Sequence, residues 1–157
     1  MKTRVILEPA ADGALKSSDA DFMFCVWLVD DDACCREHLT WLLNAEPDVS
    51  CPRCFSTASG LLAELRQGAP PDAILIDLEM PVMNGIEAIA PIKKLTPFTM
   101  IVILTTFFDH RRKEEALAAG ATDFILKRNL SAQIIAAIRA ASVRFSSSRR
   151  AHVLAPQ

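Results

Sequence analysis

The chain has 157 residues, of which 51% are hydrophobic and 23% charged, and its net charge is −2. This length fits one domain, and the charge argues against the broad basic face that non-specific nucleic-acid binding needs. No apolar run reaches the roughly 18 residues of a membrane helix, and the first residues lack the apolar core of a secretory signal. We therefore expect a cytoplasmic protein with no membrane span and no direct nucleic-acid contact.

The two ends of the chain are predicted to lie outside the folded domain. The first residues contain one short apolar run, VIL, and the last residues read FSSSRRAHVLAPQ. We predict an N-terminal extension over residues 1–21, one domain over residues 22–144 and a C-terminal tail over residues 145–157. Both end segments are predicted to be mobile.

Five short runs of apolar residues predict strands. They cover residues 22–29, 48–55, 72–76, 100–104 and 123–126. Runs without polar alternation are typical of parallel strands that are covered on both faces. The second run is the weakest, and its Pro52 cannot donate a ladder hydrogen bond, so we place this strand at a sheet edge.

Helical spacing of apolar residues appears between these runs and after the last one. The predicted helices are marked by Leu39, Leu42 and Leu43; by Leu61, Leu62 and Leu65; by Ile86, Ile89 and Ile92; by residues 110–119; and by Ile134, Ile135 and Ile138. The fourth helix should end at Gly120, and Ser131 or Asn129 is the expected N-cap of the fifth. Pro91 falls inside the third helix and predicts a kink or a distorted early turn.

The alternation of these patterns determines the expected fold. Strands that alternate with helices predict an α/β protein with a doubly wound, open, five-stranded parallel sheet and helices on both faces. In such a sheet a ligand binds beyond the carboxyl ends of the strands. The polar residues that follow each strand are therefore the candidates for a functional site.

Polar residues follow four of the five predicted strands. They are Asp30, Asp31 and Asp32 after the first strand, Asp77 after the third, Thr105 and Thr106 after the fourth, and Lys127 after the fifth. One such residue could arise by chance. An acidic cluster, a lone aspartate, a hydroxyl and a lysine that converge on one edge form a coherent site.

The charges of this set indicate its chemistry. Clustered carboxylates repel one another unless a cation intervenes, and an all-oxygen ligand set suits Mg²⁺. Lys127 and Thr105 can contact phosphate oxygens, which leaves Asp77 as the candidate nucleophile for an aspartyl phosphate. No glycine-rich phosphate loop is present, so we expect the phosphoryl group to come from another protein or a small donor, not directly from ATP.

Four motifs in order resemble the receiver domain of two-component response regulators. They are LVDDD with Arg36 downstream, ILIDLEMPVMNG, VILTTF and AGATDFILK, and the resemblance covers about residues 23–143. It implies a flavodoxin-like sheet in the order 2-1-3-4-5 and a phosphorylation-activated signalling switch. The implied partner is a histidine kinase or a phosphotransfer protein, and no turnover of a separate substrate is implied.

The resemblance also implies roles for individual residues. Asp77 matches the phosphoacceptor, and the implied Mg²⁺ ligands are Asp30 through water, Asp31, Asp77 and the backbone carbonyl of Glu79. Thr105 and Lys127 match the phosphoryl-contacting positions, Thr105 and Phe124 the switch positions, and Glu79 and Phe107 the positions that tune the lifetime of the phosphorylated state. The implied contact face for a downstream protein or a second copy comprises the fourth helix, the fifth strand and the fifth helix.

Some of these residues also have purely structural interpretations. Asp32 suits the N-terminus of the first helix and is not expected to be a ligand. Phe124 would by default be a core residue. Arg128 stands where many family members have proline, and Asn84 stands where aspartate is commoner, a change that should not affect the chemistry.

Two functions of other classes remain as alternatives. Asp77-Leu78-Glu79 faintly resembles the nucleophile motif of a small haloacid-dehalogenase-like phosphatase, although here the acidic cluster precedes the nucleophile in sequence. The CPRC segment, residues 51–54, suggests a zinc-binding adaptor, but we expect free thiols without metal there. Too few residues follow Lys127 for an output domain, so we expect a stand-alone receiver or a fragment of a longer regulator.

Overall fold

The computed structural model describes residues 23–129 and 132–140. Its five strands are β1 (Phe24–Val29), β2 (Val49–Phe55), β3 (Ala73–Asp77), β4 (Met100–Thr105) and β5 (Asp123–Leu126). All of them are parallel neighbours in one sheet, in the order β2-β1-β3-β4-β5. The predicted α/β class and strand order are therefore confirmed.

Helices alternate with these strands as predicted. They are α1 (Ala33–Asn44), α2 (Ala58–Leu65), α3 (Gly85–Leu95), α4 (His110–Ala119) and α5 (132–140). One core cluster packs α1 and α5 on one face of the sheet, and a second packs α2, α3 and α4 on the other. None of the helices described is long and apolar enough to cross a membrane.

Three predictions fall on residues that lie outside the described part of the chain. These are the N-terminal extension, the C-terminal tail and the N-cap at Ser131. The other candidate cap, Asn129, ends a short 3₁₀ turn, Lys127–Asn129, that follows β5.

Polar side chains determine where the helices begin. Asp32, Thr57, Asn84 and Asp109 each accept a hydrogen bond from a backbone N–H in the first turn of α1, α2, α3 and α4, respectively. Helix α4 ends as predicted at Gly120, whose φ of 110° belongs to the left-handed region that glycine adopts easily. The strand ends are thus joined to helices by short turns with defined geometry.

The edge strand β2 is irregular at Pro52. Cys51 and Pro52 together lie opposite the single residue Val26 of β1, which makes a bulge. The Asn44 side chain accepts a hydrogen bond from the Cys51 N–H at 2.8 Å and donates one to the Cys51 carbonyl at 3.5 Å. The amide thus provides hydrogen-bond partners for the Cys51 backbone at the bulge. The predicted edge position of the strand is confirmed.

Pro91 lies inside α3, as the sequence predicts. The helix continues beyond it to Leu95, and the Thr96 N–H bonds the Ile92 carbonyl at the C-terminal end. The proline cannot donate to the Glu87 carbonyl, and Glu87 is exposed, so water can satisfy that oxygen. The kink at this position stays a prediction.

Candidate functional site

The polar residues at the carboxyl ends of the strands are brought together at one edge of the sheet. Asp30 follows β1 and is 0% exposed, and Asp77 ends β3 and is 4% exposed. Thr105 ends β4, one residue beyond the β4 partner of Asp77, and is completely buried. Lys127 follows β5 directly. Buried polar residues at this edge stand out because the strands that carry them are otherwise apolar.

Lys127 bridges the two buried carboxylates. Its Nζ atom lies 2.6 Å from Asp30 Oδ2 and 3.1 Å from Asp77 Oδ1. Buried carboxylates are costly unless a cation or hydrogen bonds compensate them. Two acids and one lysine leave the centre of the site with an excess negative charge.

Burial governs the ionisation of these groups. It raises the pKa of the Asp77 carboxyl above its usual range, and the nearby Asp30 adds to this, while the Lys127 ammonium opposes it. For Lys127, burial lowers the pKa, but the two carboxylates outweigh burial and the net pKa is raised. The lysine therefore stays charged, and the raised pKa of Asp77 favours its protonated form more than in an exposed aspartate.

A divalent cation would fit among three of the aspartates. One carboxylate oxygen each of Asp30, Asp31 and Asp77 lies within 4.8 Å of the other two. Asp31 is exposed. Asp30 Oδ2 is buried and accepts no hydrogen bond of ordinary geometry, but the Lys127 ammonium lies at ion-pair distance from it. An all-oxygen set with one open side is the environment that Mg²⁺ prefers.

The third acid of the cluster, Asp32, hydrogen-bonds to the backbone and is not among the three aspartates of the candidate cation site. Its Oδ1 accepts a hydrogen bond from the Cys35 N–H at 3.0 Å and caps α1. Its own N–H donates to Asp30 Oδ1 at 3.0 Å, which orients the buried carboxylate. The structural interpretation of Asp32 as the N-terminal residue of the first helix is confirmed.

The loop after Asp77 is held close to the site by Gly85. The Gly85 N–H donates to the Leu78 carbonyl at 3.0 Å. A Cβ at position 85 would lie 2.5 Å from the backbone oxygen of Asp77, far below any allowed contact. Glycine is therefore required for α3 to start this close to the strand end. Asn84 begins α3 with a capping box to Glu87, so its amide suffices in place of a carboxylate.

The Thr105 hydroxyl is turned toward the loop that follows β4. It donates to the Phe107 carbonyl at 2.8 Å and accepts from the Phe107 N–H at 3.3 Å. Thr106, the next residue, is exposed. Phe107 itself is 74% exposed. The hydroxyl thus fixes the turn that leads into α4.

Phe124 lies beneath a second aromatic ring. It is 4% exposed and packs in the core cluster with α3 and α4. The Phe108 ring meets it edge-on with centroids 6.1 Å apart, and Lys113 Nζ lies 5.8 Å from the Phe108 centroid. Sequence reasoning did not identify Phe108, because Phe107 and Phe108 are adjacent in the same loop and the sequence does not show which of them packs on Phe124.

The family of the chain follows from a domain comparison. The response regulator receiver domain family matches residues 26–139 of this sequence. The chain belongs to this family. The match lies inside the predicted domain, residues 22–144, and covers all of the strand-end residues described above.

Individual relatives agree with this assignment of the receiver. The uncharacterized transcriptional regulatory protein YxjL of Bacillus subtilis is 38% identical over 117 residues, 74% of this chain and 53% of that protein. The transcriptional regulatory protein LiaR of the same organism is 38% identical over 123 residues, 76% of this chain and 56% of that protein. The chain thus spans about half the length of these relatives.

Solved structures of receivers share the fold. The response regulator domain of Thermotoga maritima CheB has a TM-score of 0.68 and 29% identity, and the match covers 76% of this chain and 96% of that one. A LuxR-family regulator from Aurantimonas has a TM-score of 0.71 and 27% identity, and the match covers 75% and 84%. The haloacid-dehalogenase alternative finds no support among these relatives.

The cysteines of the receiver occupy different environments. Cys34 and Cys54 are exposed, Cys51 is buried and all five described thiols are free. Burial raises the pKa of the Cys51 thiol to about 11, and burial together with the nearby Asp30 raises that of Cys35 to about 12. Among the residues that the structure describes, the group able to hold a metal contains aspartates and no cysteine.

Proposed function

We propose that the chain is a phosphorylation-activated switch that accepts a phosphoryl group on Asp77 from a histidine kinase or phosphotransfer protein, in a Mg²⁺-dependent reaction. The observation that carries this proposal is the contact of Lys127 with both Asp30 and Asp77 at one strand edge. A lysine that contacts the nucleophile is in place to contact the phosphoryl group attached to it. The raised pKa of Asp77 accords with a functional group, because reactive groups often have perturbed pKa values.

The transfer step needs the carboxylate form of Asp77. One of its oxygens forms a bond to phosphorus while the bond from phosphorus to the donor breaks, and the electron pair leaves with the donor. The Lys127 ammonium neutralises charge on the transferred group, a role in which positioning and electrostatics supply most of the catalysis. Asp77 is nearly buried, which limits the access of bulk water to its carboxylate.

A bound Mg²⁺ would neutralise phosphoryl oxygens. The residues that would hold it are Asp31 and Asp77, the Glu79 backbone carbonyl and, through water, Asp30. The indirect role of Asp30 is supported by its two oxygens, one of which accepts from the Asp32 N–H while the other faces Lys127.

The switch would start at Thr105. Its hydroxyl reaches a phosphoryl group on Asp77 only by leaving the Phe107 carbonyl. A charge-assisted hydrogen bond is worth about 1.5–3 kcal/mol and the neutral one that it replaces about 0.5–1.5 kcal/mol. The difference is about 1 kcal/mol, which shifts the equilibrium roughly fivefold toward the rearranged loop.

The rearranged loop would change the face formed by α4, β5 and α5. Phe108 follows Phe107 in the loop and packs on Phe124, so release of the turn alters this aromatic contact. A cavity of about 490 Å³ on this face lies between Phe108, Lys113 and Gln133. We assign the contact with a downstream protein or a second copy to this face. Glu79 and Phe107, both exposed at the rim of the site, would tune the lifetime of the phosphorylated state.

The same proposal includes the cellular location of the receiver and the kind of output that it controls. The receiver works in the cytoplasm, either alone or as part of a longer regulator, and it turns over no separate substrate. Output through DNA binding is suggested by relatives that are named transcriptional regulatory proteins. Other relatives are protein-glutamate methylesterases, of which the chain covers 39% in Pyrococcus abyssi, so the output class is not shared by all relatives.

Phosphorylation of the isolated chain tests the proposal. Incubation with Mg²⁺ and a small acyl phosphate should add one phosphoryl group, seen by intact-mass spectrometry, and Asp77→Asn or a chelator should abolish it. Asp32→Asn is the matched control, since asparagine also caps a helix and Asp32 serves the backbone. Equal labelling of Asp77→Asn would refute the assignment. Rapid turnover of a generic phosphate ester would favour the phosphatase alternative.

A further inference from the structure

One arginine in α1 binds the backbone of the acidic turn. Nη1 of Arg36 donates to the carbonyl oxygen of Asp30 at 2.7 Å and to that of Asp31 at 2.9 Å. Both acceptors belong to residues whose side chains form the candidate cation site. Within residues 23–129 and 132–140, no carboxylate forms an ion pair with Arg36. The guanidinium therefore acts as a hydrogen-bond donor to the two carbonyl groups.

The geometry of the turn explains what this contact can do. Asp31 is exposed, and its position depends on the backbone between β1 and α1. Other bonds also hold this turn, from the Asp32 N–H to Asp30 Oδ1, from the Cys35 N–H to Asp32 Oδ1 and from the Arg36 N–H to the Asp32 carbonyl. None of these bonds is made by the Asp31 N–H or the Asp31 carbonyl, although the Asp32 N–H belongs to the same planar peptide group as that carbonyl. The guanidinium bond to the Asp31 carbonyl holds that peptide group at its second end, and it thereby limits the direction of the exposed carboxylate.

We propose that Arg36 is a positioning residue that preorganises Asp30 and Asp31 for a divalent cation. The inference rests on the proposed function, since it concerns the same site. A ligand set that is ordered before binding loses less conformational entropy when the cation arrives. In this proposal Arg36 supplies no ligand atom and acts through the two peptide groups whose carbonyls it binds.

An opposing electrostatic effect means that the direction of the change in Mg²⁺ affinity on removing Arg36 tests the inference. The guanidinium carries a positive charge beside the site, and like charge repels a dication. If repulsion were the larger effect, removing Arg36 would strengthen cation binding. If preorganisation is the larger effect, removing it weakens binding, and a lysine that keeps the charge but bonds with a different geometry restores only part of the affinity.

The experiment compares Mg²⁺ binding to the parent chain, Arg36→Met and Arg36→Lys by titration calorimetry. We expect the dissociation constant to rise about tenfold in Arg36→Met, a loss of about 1.4 kcal/mol, and about threefold in Arg36→Lys. Arg53→Met is the control, because Arg53 pairs with Glu64 and stacks on Trp27 away from the acidic turn, and it should stay within about twofold of the parent.

A second readout separates positioning from loss of the fold. Amide exchange at residues 31–34 without metal should quicken in Arg36→Met, while exchange in β3 and β4 stays as in the parent. Phosphorylation by an acyl phosphate should recover at saturating Mg²⁺. Unchanged or tighter Mg²⁺ binding in both Arg36 variants would overturn the inference while leaving the proposed function intact. A parent chain that binds no Mg²⁺ would overturn both.

Discussion

The Thr105 hydroxyl donates a hydrogen bond to the Phe107 carbonyl at 2.8 Å, so the side chain that we propose contacts the phosphoryl group is already bonded to the loop before α4. The same hydroxyl cannot satisfy both partners with its single proton. In the proposed switch, phosphorylation and the present conformation of this turn would therefore compete for Thr105. Such competition would couple the site to the loop that leads into α4.

Removing this hydroxyl should separate phosphorylation from the response. Thr105→Ala should still accept a phosphoryl group on Asp77 but lose most of the change in hydrogen exchange over α4 and β5 that a beryllofluoride mimic induces in the parent. Thr105→Ser keeps the hydroxyl and should respond like the parent. An equal response in Thr105→Ala and the parent would contradict the coupling.

Gly85 should tolerate no side chain. A Cβ would lie 2.5 Å from the Asp77 carbonyl oxygen, so Gly85→Ala must displace either α3 or the end of β3. We expect a loss of roughly 1–3 kcal/mol in the free energy of unfolding, typical of overpacking, together with slower phosphorylation. Gly68→Ala is the matched control, since its Cβ would meet nothing within 4 Å. Urea unfolding measures the loss of stability, and intact-mass labelling measures the rate of phosphorylation. A Gly85→Ala chain as stable and as reactive as the parent would contradict the close approach of position 85 to the Asp77 backbone.

The thiols should differ sharply in reactivity. Burial holds the pKa of Cys51 at about 11, and burial with Asp30 holds that of Cys35 at about 12, so neither is a thiolate near neutral pH. Iodoacetamide at pH 8 should label the exposed Cys34 and Cys54 first, as followed by peptide mass spectrometry. Fast labelling of Cys35 would argue against its placement. Stoichiometric zinc in protein purified without added metal would revive the adaptor alternative.

Much of this architecture could be predicted because it depends on short-range patterns. The apolar runs, the turn residues and the alternation of elements place Asp30, Asp77, Thr105 and Lys127 at one edge whatever the details of packing. The edge position of β2 followed from Pro52 alone.

The contacts that the sequence did not predict depend on tertiary geometry. Asn44 bonds the Cys51 backbone because a bulge exposes it, and a bulge has no unique sequence signal. The Arg36 contact requires knowing where two carbonyl groups point. Phe108 was missed because nothing in the spacing indicates which loop aromatic covers Phe124.

Lys127→Met should be the most destabilising change at the site. It leaves the buried carboxylates of Asp30 and Asp77 without their shared cation, and breaking a buried ion pair by removing one partner costs about 3–5 kcal/mol. Urea unfolding at neutral pH measures the loss. The loss should shrink as the pH falls and the carboxyl groups take up protons. A loss that is independent of pH would point to packing of the lysine stem and not to charge.

Asp77→Asn should act in the opposite direction. The folded-state pKa of Asp77 is raised, so ionising this group costs stability, and the stability present below its unfolded pKa is lost as the pH rises through the folded pKa. Asparagine removes that loss and leaves Asp30 paired one-to-one with Lys127. The variant should therefore be more stable than the parent at neutral pH, and the difference should disappear in acid. In the double variant with Lys127→Met, the penalty should be smaller than in Lys127→Met alone, because one of the two stranded carboxylates is gone. A double variant at least as unstable as Lys127→Met would show that Asp77 does not share the lysine with Asp30.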